Sequence, residues 1–151
     1  MALTTSRGLA LAAVALAALA AVLAYLRDPP WLLRTSHGFH GLDTDPAGRT
    51  FRWTTGHASF FVPADAVSVE IPLAGGLDTP GHAPVTTTIT IDDRPAERLE
   101  LTDEAWRTIV LRLPPPGGRR TRRIDLRVDR THPGERGVRV GEIRIRYFAA
   151  R

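Results

Sequence analysis

"RRIDLRVD", residues 122–129, is the stretch on which the reading of this chain turns. Ile124, Leu126 and Val128 alternate with Arg123, Asp125, Arg127 and Asp129, and along an extended backbone successive side chains point to opposite faces of a sheet. A helix would scatter the same residues around its circumference. The stretch is therefore a β-strand with one apolar face and one charged face.

The same period extends in both directions. Upstream, Ile109, Leu111 and Leu113 share a face until "PPPGG" (114–118) stops the strand, since proline cannot donate to a ladder and glycine permits the turn. Val67, Val69 and Ile71, then Val85, Thr87, Ile89 and Ile91, then Leu99 and Leu101 repeat the alternation. Downstream, Ile143, Ile145 and Tyr147 alternate with Glu142, Arg144 and Arg146. Val138 and Val140 hold the opposite parity, so Gly141 is read as a bulge. "TFRWTTGHASFFVP" (50–63) reads as two aromatic strands about a turn at Gly56-His57, with Phe51 and Trp53 packed in a core against Phe60 and Val62. "TDEAWR" (102–107) reads as one helical turn capped by Thr102 or Asp103. With about eight short strands separated by Gly and Pro turns, the predicted fold is all-β, an antiparallel two-sheet sandwich in which each sheet covers the other's apolar face.

Residues 8–26, "GLALAAVALAALAAVLAYL", carry no charge, and as a helix they span about 29 Å, roughly one hydrocarbon core. They read as one N-terminal transmembrane helix. A cleaved signal peptide is the alternative, with small-residue patterns at Ala18-Leu19-Ala20 and Val22-Leu23-Ala24, but the apolar core of a signal peptide stops at about 7 to 15 residues and is followed by polar ground. The predicted organisation is a cytoplasmic N-terminus at 1–7, an anchor in membrane lipid at 8–26, a juxtamembrane linker rich in proline and glycine at 27–49, and a β-sandwich domain at 50–148 outside the cytoplasm. Pro29 and Pro30 stop the helix.

The order "FRWTTGHASFFVP", "AVSVEIPL", the hairpin "TITIDDRPAERLEL", "WRTIVLRLP", "RRIDLRVDR" and "RGVRVGEIRIR" resembles a galactose-binding-like jelly roll, similar to extracytoplasmic β-sandwich domains of bacterial membrane proteins that handle envelope sugars. The resemblance implies a carbohydrate-recognition or envelope-glycan accessory module. In the hairpin, Asp92 is followed by Asp93 where such turns often carry glycine.

The chain has no cysteine, which excludes disulfides and thiolate metal sites. All twenty basic residues are arginine. The domain's excess positive charge is too slight to demand a polyanion, and the extracytoplasmic address argues against nucleic acid. No nucleophile elbow or P-loop is present, so the chain reads as non-enzymatic, with no catalytic residue and no cofactor. His37, His40, Asp43 and Asp45 are close in sequence but fit no zinc or calcium spacing, so no metal site is assigned; His57, His82 and His132 are scattered. The candidate ligand-binding residues are Trp106 and Arg107, an aromatic ring and a guanidinium that suit a sugar, together with Arg120 and Arg123 of the basic run "RRTRRIDLRVDR". That run also reads as a solvated face paired with Glu135 or Glu142. A glycan is the expected partner, and a neighbouring membrane protein docked on a sheet edge or the arginine face is the alternative.

Overall fold

The structure is a computed structural model that describes residues 3–76 and 84–148. The chain divides into two compact units, Met1–Leu32 and Leu33–Arg151. The first holds helix α1, Leu3–Arg27, built from alanine and leucine, the residues that lose least on entering a helix. From Gly8 onward its side chains are exposed, and the apolar run is long enough to cross a membrane as an anchor or to serve as a signal. Pro29 and Pro30 end it as expected; a short 3₁₀ helix, Pro30–Arg34, follows. Tyr25 packs edge-on to Trp31 at 5.3 Å.

Among its described residues the second unit forms an antiparallel sheet of nine strands: β1 Ser36–Thr44, β2 Thr50–Pro63, β3 Ser68–Ala74, β4 Val85–Ile91, β5 Arg94–Leu101, β6 Arg107–Arg112, β7 Thr121–Val128, β8 Arg139–Val140 and β9 Arg144–Arg146. The hydrogen-bonded order is β5-β4-β7-β2-β8-β3-β6, with β1 on β2 and β9 on β3. The sheet curls, so that Ile71 and Leu73 of β3, Ile89 of β4, Leu101 of β5 and Ile124 and Leu126 of β7 are buried in one core. Each side chain falls on the face its alternation predicts, because only that parity removes it from water.

The strand β2 makes the curl. Its buried positions are Phe51 and Trp53 in the first half but Ala58, Phe60 and Val62 in the second, and Trp53 and Thr54 are buried in succession. The first half pairs with β8, the second with β7. At the crossover, Thr54 bonds the Val138 carbonyl through its amide at 2.8 Å, and its hydroxyl accepts from the Val138 amide at 2.9 Å. The turn expected at Gly56-His57 is therefore absent: one continuous strand switches its inner face instead. A further departure is local. Residues 102–106 form bends rather than a helical turn, with the Asp103 carboxylate accepting from the Ala105 amide at 3.1 Å. Gly141 falls where the register shifts, as the change of parity predicts: β8 and β9 both pair with β3, Val140 opposite Leu73 and Arg144 opposite Glu70, so one extra residue is accommodated between them, and the Gly141 amide donates to the Pro72 carbonyl at 2.9 Å.

Strand β1 lies in the stretch read as linker, where no apolar period announces it. Its pairing with β2 breaks register on both sides of Phe39, and Gly38, at φ 73°, sits where a Cβ would overlap the His57 carbonyl. The strand is specified by backbone approach, not by alternation. The β4–β5 hairpin closes through Asp92 and Asp93, at φ 50° and 66°, the pair of left-handed residues that a two-residue type I′ turn requires. Aspartate tolerates this conformation, and here the Asp92 carboxylate also accepts from the Arg123 amide and from Arg122 Nη1, each at 3.0 Å.

Candidate functional site

Three aromatic rings collect where β2 begins. Phe51 meets Trp53 at 5.8 Å and Trp106 at 6.1 Å, both edge-on. Phe51 and Trp53 are buried, as the alternation predicts. Arg139 lies against all three rings at 5.5–5.9 Å and is fixed by donating to the Gly75 carbonyl from Nε at 3.1 Å and from Nη2 at 2.9 Å. Arg136 covers Trp53 at 5.6 Å, and Arg49 covers Trp106 at 5.0 Å. A guanidinium on an aromatic face is attracted by the ring quadrupole, worth about 0.5–2 kcal/mol each.

Trp106 is pinned at its polar end too. Its indole N–H donates to Asp45 Oδ2 at 3.2 Å, while Asp45 Oδ1 accepts from the amides of Ala47 at 3.0 Å and Arg49 at 2.8 Å. The Arg49 amide, with the Trp106 indole and the Ala47 amide, outweighs desolvation and holds the Asp45 carboxyl below its ordinary 3.8.

Two grooves open beside this cluster. The first, about 430 Å³, is polar: Glu70, Glu142, Arg49, Arg144, Thr50 and Thr108 line it, with Pro72 and Gly141. Gly141 allows the close approach, since a Cβ there would lie 3.1 Å from Pro72 Cβ and 3.4 Å from Trp106 Cζ3. Glu70 accepts from Arg146 Nε, whereas the side chains of Glu142 and Arg144 have no hydrogen-bond or ion-pair partner among the described residues. The second groove, about 400 Å³, runs between β1 and the β8–β9 connection and is apolar, lined by Phe39, Leu42, Phe51, Phe60, Val140 and Ile143 with polar groups at its rim. Thr50, Gly141 and Glu142 belong to both grooves.

The residues picked out from the sequence fall into two places. Trp106 and Arg107 stand where β6 begins; Arg107 donates to the Glu100 carbonyl at 3.0 Å and to Asp103 at 2.9 Å. Arg120 and Arg123 lie at the start of β7, and Arg123 donates to Asp125 at 2.8 Å and also to Asp93. Trp106 touches Phe51 near the first residue of β2, while Thr121 pairs with Pro63 at its last. The two sets thus stand at opposite ends of that strand. Among the described residues the ion pairs of the basic run are with Asp92, Asp93, Asp125 and Asp129, not with Glu135 or Glu142. Asp125, expected on the solvent face, is buried between Arg123 and His57, whose Nε2 is 3.0 Å away.

The polar groove residues Glu70, Glu142, Arg144 and Thr108 escaped the sequence reading because each is an ordinary polar position in the alternation of its stretch. Only the pairing of Glu70 with Arg144 and of Pro72 with Thr108 makes them neighbours. Among the described residues no group of three or more His, Asp or Glu side chains is placed to hold a metal. His40 lies 3.4 Å from the Glu135 carbonyl, and Asp45 is engaged by Trp106. His82 lies outside the described residues.

No protein-family description and no curated protein matches this chain. Among solved structures it is similar to a family 35 carbohydrate binding module from an environmental isolate, at 18% identity over 72% of this chain and 85% of that one, TM-score 0.47. A family 35 module from Clostridium thermocellum gives 15% identity over 77% and 92%, TM-score 0.48. CBM51-2 and INT domains from Clostridium perfringens ZmpB, in complex with GlcNAc, give 11% over 70% and 25%, TM-score 0.45. Family 35 and 51 modules are galactose-binding-like β-sandwiches.

Proposed function

We propose that this chain is a membrane-anchored, extracytoplasmic carbohydrate-recognition module that binds without catalysing. In this reading α1 crosses the bilayer once at residues 8–26, with residues 1–7 in the cytoplasm. The strands of residues 50–148, with β1 at their margin, close into a two-sheet jelly-roll sandwich. A saccharide sits in the polar groove, whose wall Trp106 backs through Arg49 and Gly141.

One observation carries this reading: the polar groove sets carboxylates, guanidiniums and threonine hydroxyls side by side over Pro72. A sugar presents the complementary mixture, hydroxyls that both donate and accept around a ring with apolar C–H faces. The groove volume falls in the range usual for small-ligand sites, about 300–1,000 Å³. Of the residues picked out from the sequence, Trp106 contributes by holding Arg49 and Gly141 in place. Titration calorimetry of the full chain in lipid nanodiscs, against a panel of mono- and oligosaccharides, tests the reading. Binding that weakens about tenfold or more in Glu142→Ala and Arg144→Ala is expected, as for lost charged hydrogen bonds. A panel without a single binder overturns it.

A second reading rests on the groove of about 330 Å³ at the far end of β2, where Phe61, Arg119 and Arg123 meet Asp92 and Asp93. An apolar ring flanked by guanidiniums suits an acidic segment of a neighbouring membrane protein. Capture that survives Trp106→Ala but is lost in the Arg120→Glu, Arg123→Glu double variant supports this reading over the first.

A further inference from the structure

The polar groove does not end at its own wall. Thr50, Gly141 and Glu142 line both it and the apolar groove, so the two are neighbours. The apolar side is built from Phe39, Leu42, Phe51, Phe60, Val140 and Ile143. Leu42 is 79% exposed on β1, an apolar side chain left largely uncovered by the described residues. Phe39 and Ile143 are each half-buried behind it. The walls are stiffened: Arg52 donates from Nε to the His40 carbonyl at 2.9 Å and lies over the Phe39 ring at 5.4 Å. A groove that keeps apolar side chains in water gains when an apolar group displaces that water.

We infer that the ligand is an amphiphilic glycoconjugate, a saccharide whose apolar aglycone, an alkyl chain, lies in the groove of Phe39, Leu42 and Ile143 while its sugar occupies the polar groove. This rests on the saccharide reading above and extends it to the ligand's other end. Neither groove alone argues for the pairing; the residues they share do, because a ligand seated in the polar groove lies next to the apolar one. The division of labour follows: Arg144 and Glu142 select the head, and Leu42 and Phe39 set the dependence on chain length.

The test compares methyl and octyl glycosides of glucose, galactose, mannose and N-acetylglucosamine, below their micelle concentrations, by calorimetry with the full chain in nanodiscs. Full burial strengthens binding about fourfold per methylene, and the open groove reduces this, so octyl glycosides bind on the order of a hundredfold tighter than methyl glycosides of the same sugar. Leu42→Ser, a change at an exposed position that leaves the core untouched, removes most of that gain without altering methyl glycoside affinity; Arg144→Ala weakens both equally. Equal affinity for methyl and octyl glycosides overturns the inference and leaves the saccharide reading standing. Octyl binding that ignores the sugar and is unchanged in Arg144→Ala overturns it in favour of simple apolar partition. Absence of binding by every glycoside overturns both.

Discussion

Trp106 donates to Asp45 while Arg49 and Arg139 lie against its ring, so its position depends on a carboxylate staying charged. The Asp45 carboxyl is held below 3.8, first by the Arg49 amide. A group whose folded value is depressed stabilises the fold fully above its unfolded value, and that contribution fades as pH falls through the folded one. Trp106 is therefore expected to loosen only below pH 3.8, with a red shift in its emission and weaker saccharide binding. In Asp45→Asn, with the charge gone and the shape kept, the same loosening is present at neutral pH. Fluorescence titration of both proteins, each with Trp31 and Trp53 replaced by phenylalanine, checks this. At Gly38 the limit is steric: Gly38→Ala places a Cβ on the His57 carbonyl at positive φ. It is expected to destabilise the domain by about 2 kcal/mol or more, read as a lowered Tm.

Among the elements, the β4–β5 hairpin separates two aspartates that look equivalent in the sequence. Asp92 holds Arg122, which is buried and has no other carboxylate partner among the described residues, whereas Asp93 pairs with Arg123 at the surface. Removing one partner of a buried pair costs about 3–5 kcal/mol, while an exposed pair contributes about 0–1 kcal/mol. Asp92→Ala is thus expected to lower Tm sharply. Asp93→Gly, which relieves a left-handed aspartate as it loses a surface pair, should leave Tm nearly unchanged; denaturation of the two variants side by side decides. The alternation of β3, β4, β6 and β7 was legible because each strand has one dry face. In β1 it was not: the strand is half-exposed on both faces and bent at Phe39, so no period survives in its sequence. In β2 the side-chain parities were legible and the continuity was not, since a strand that switches its inner face reads like two strands about a turn.

For the whole molecule, the proposed anchor makes a prediction independent of any ligand. Protein extracted from membranes is expected to keep residues 8–26, measured by intact mass and N-terminal sequencing. A product beginning after Ala20 or Ala24 would instead establish a cleaved signal. The candidate site lies at the other extreme of legibility. Trp106 was visible as an aromatic on the polar side of its strand, but Glu70, Glu142 and Arg144 are charges among many, and nothing local distinguishes them.

The sequence by itself determined that the chain opens with an apolar helix and continues as one-sided β-strands, because both are periodic properties of neighbouring residues and the free energy of removing apolar groups from water acts on them locally. Only the tertiary structure decided which strands lie side by side, and with them the two grooves that share Thr50, Gly141 and Glu142. Those residues lie some ninety positions apart, and their meeting is set by the curl of the sheet around its core, a property of no single stretch of chain.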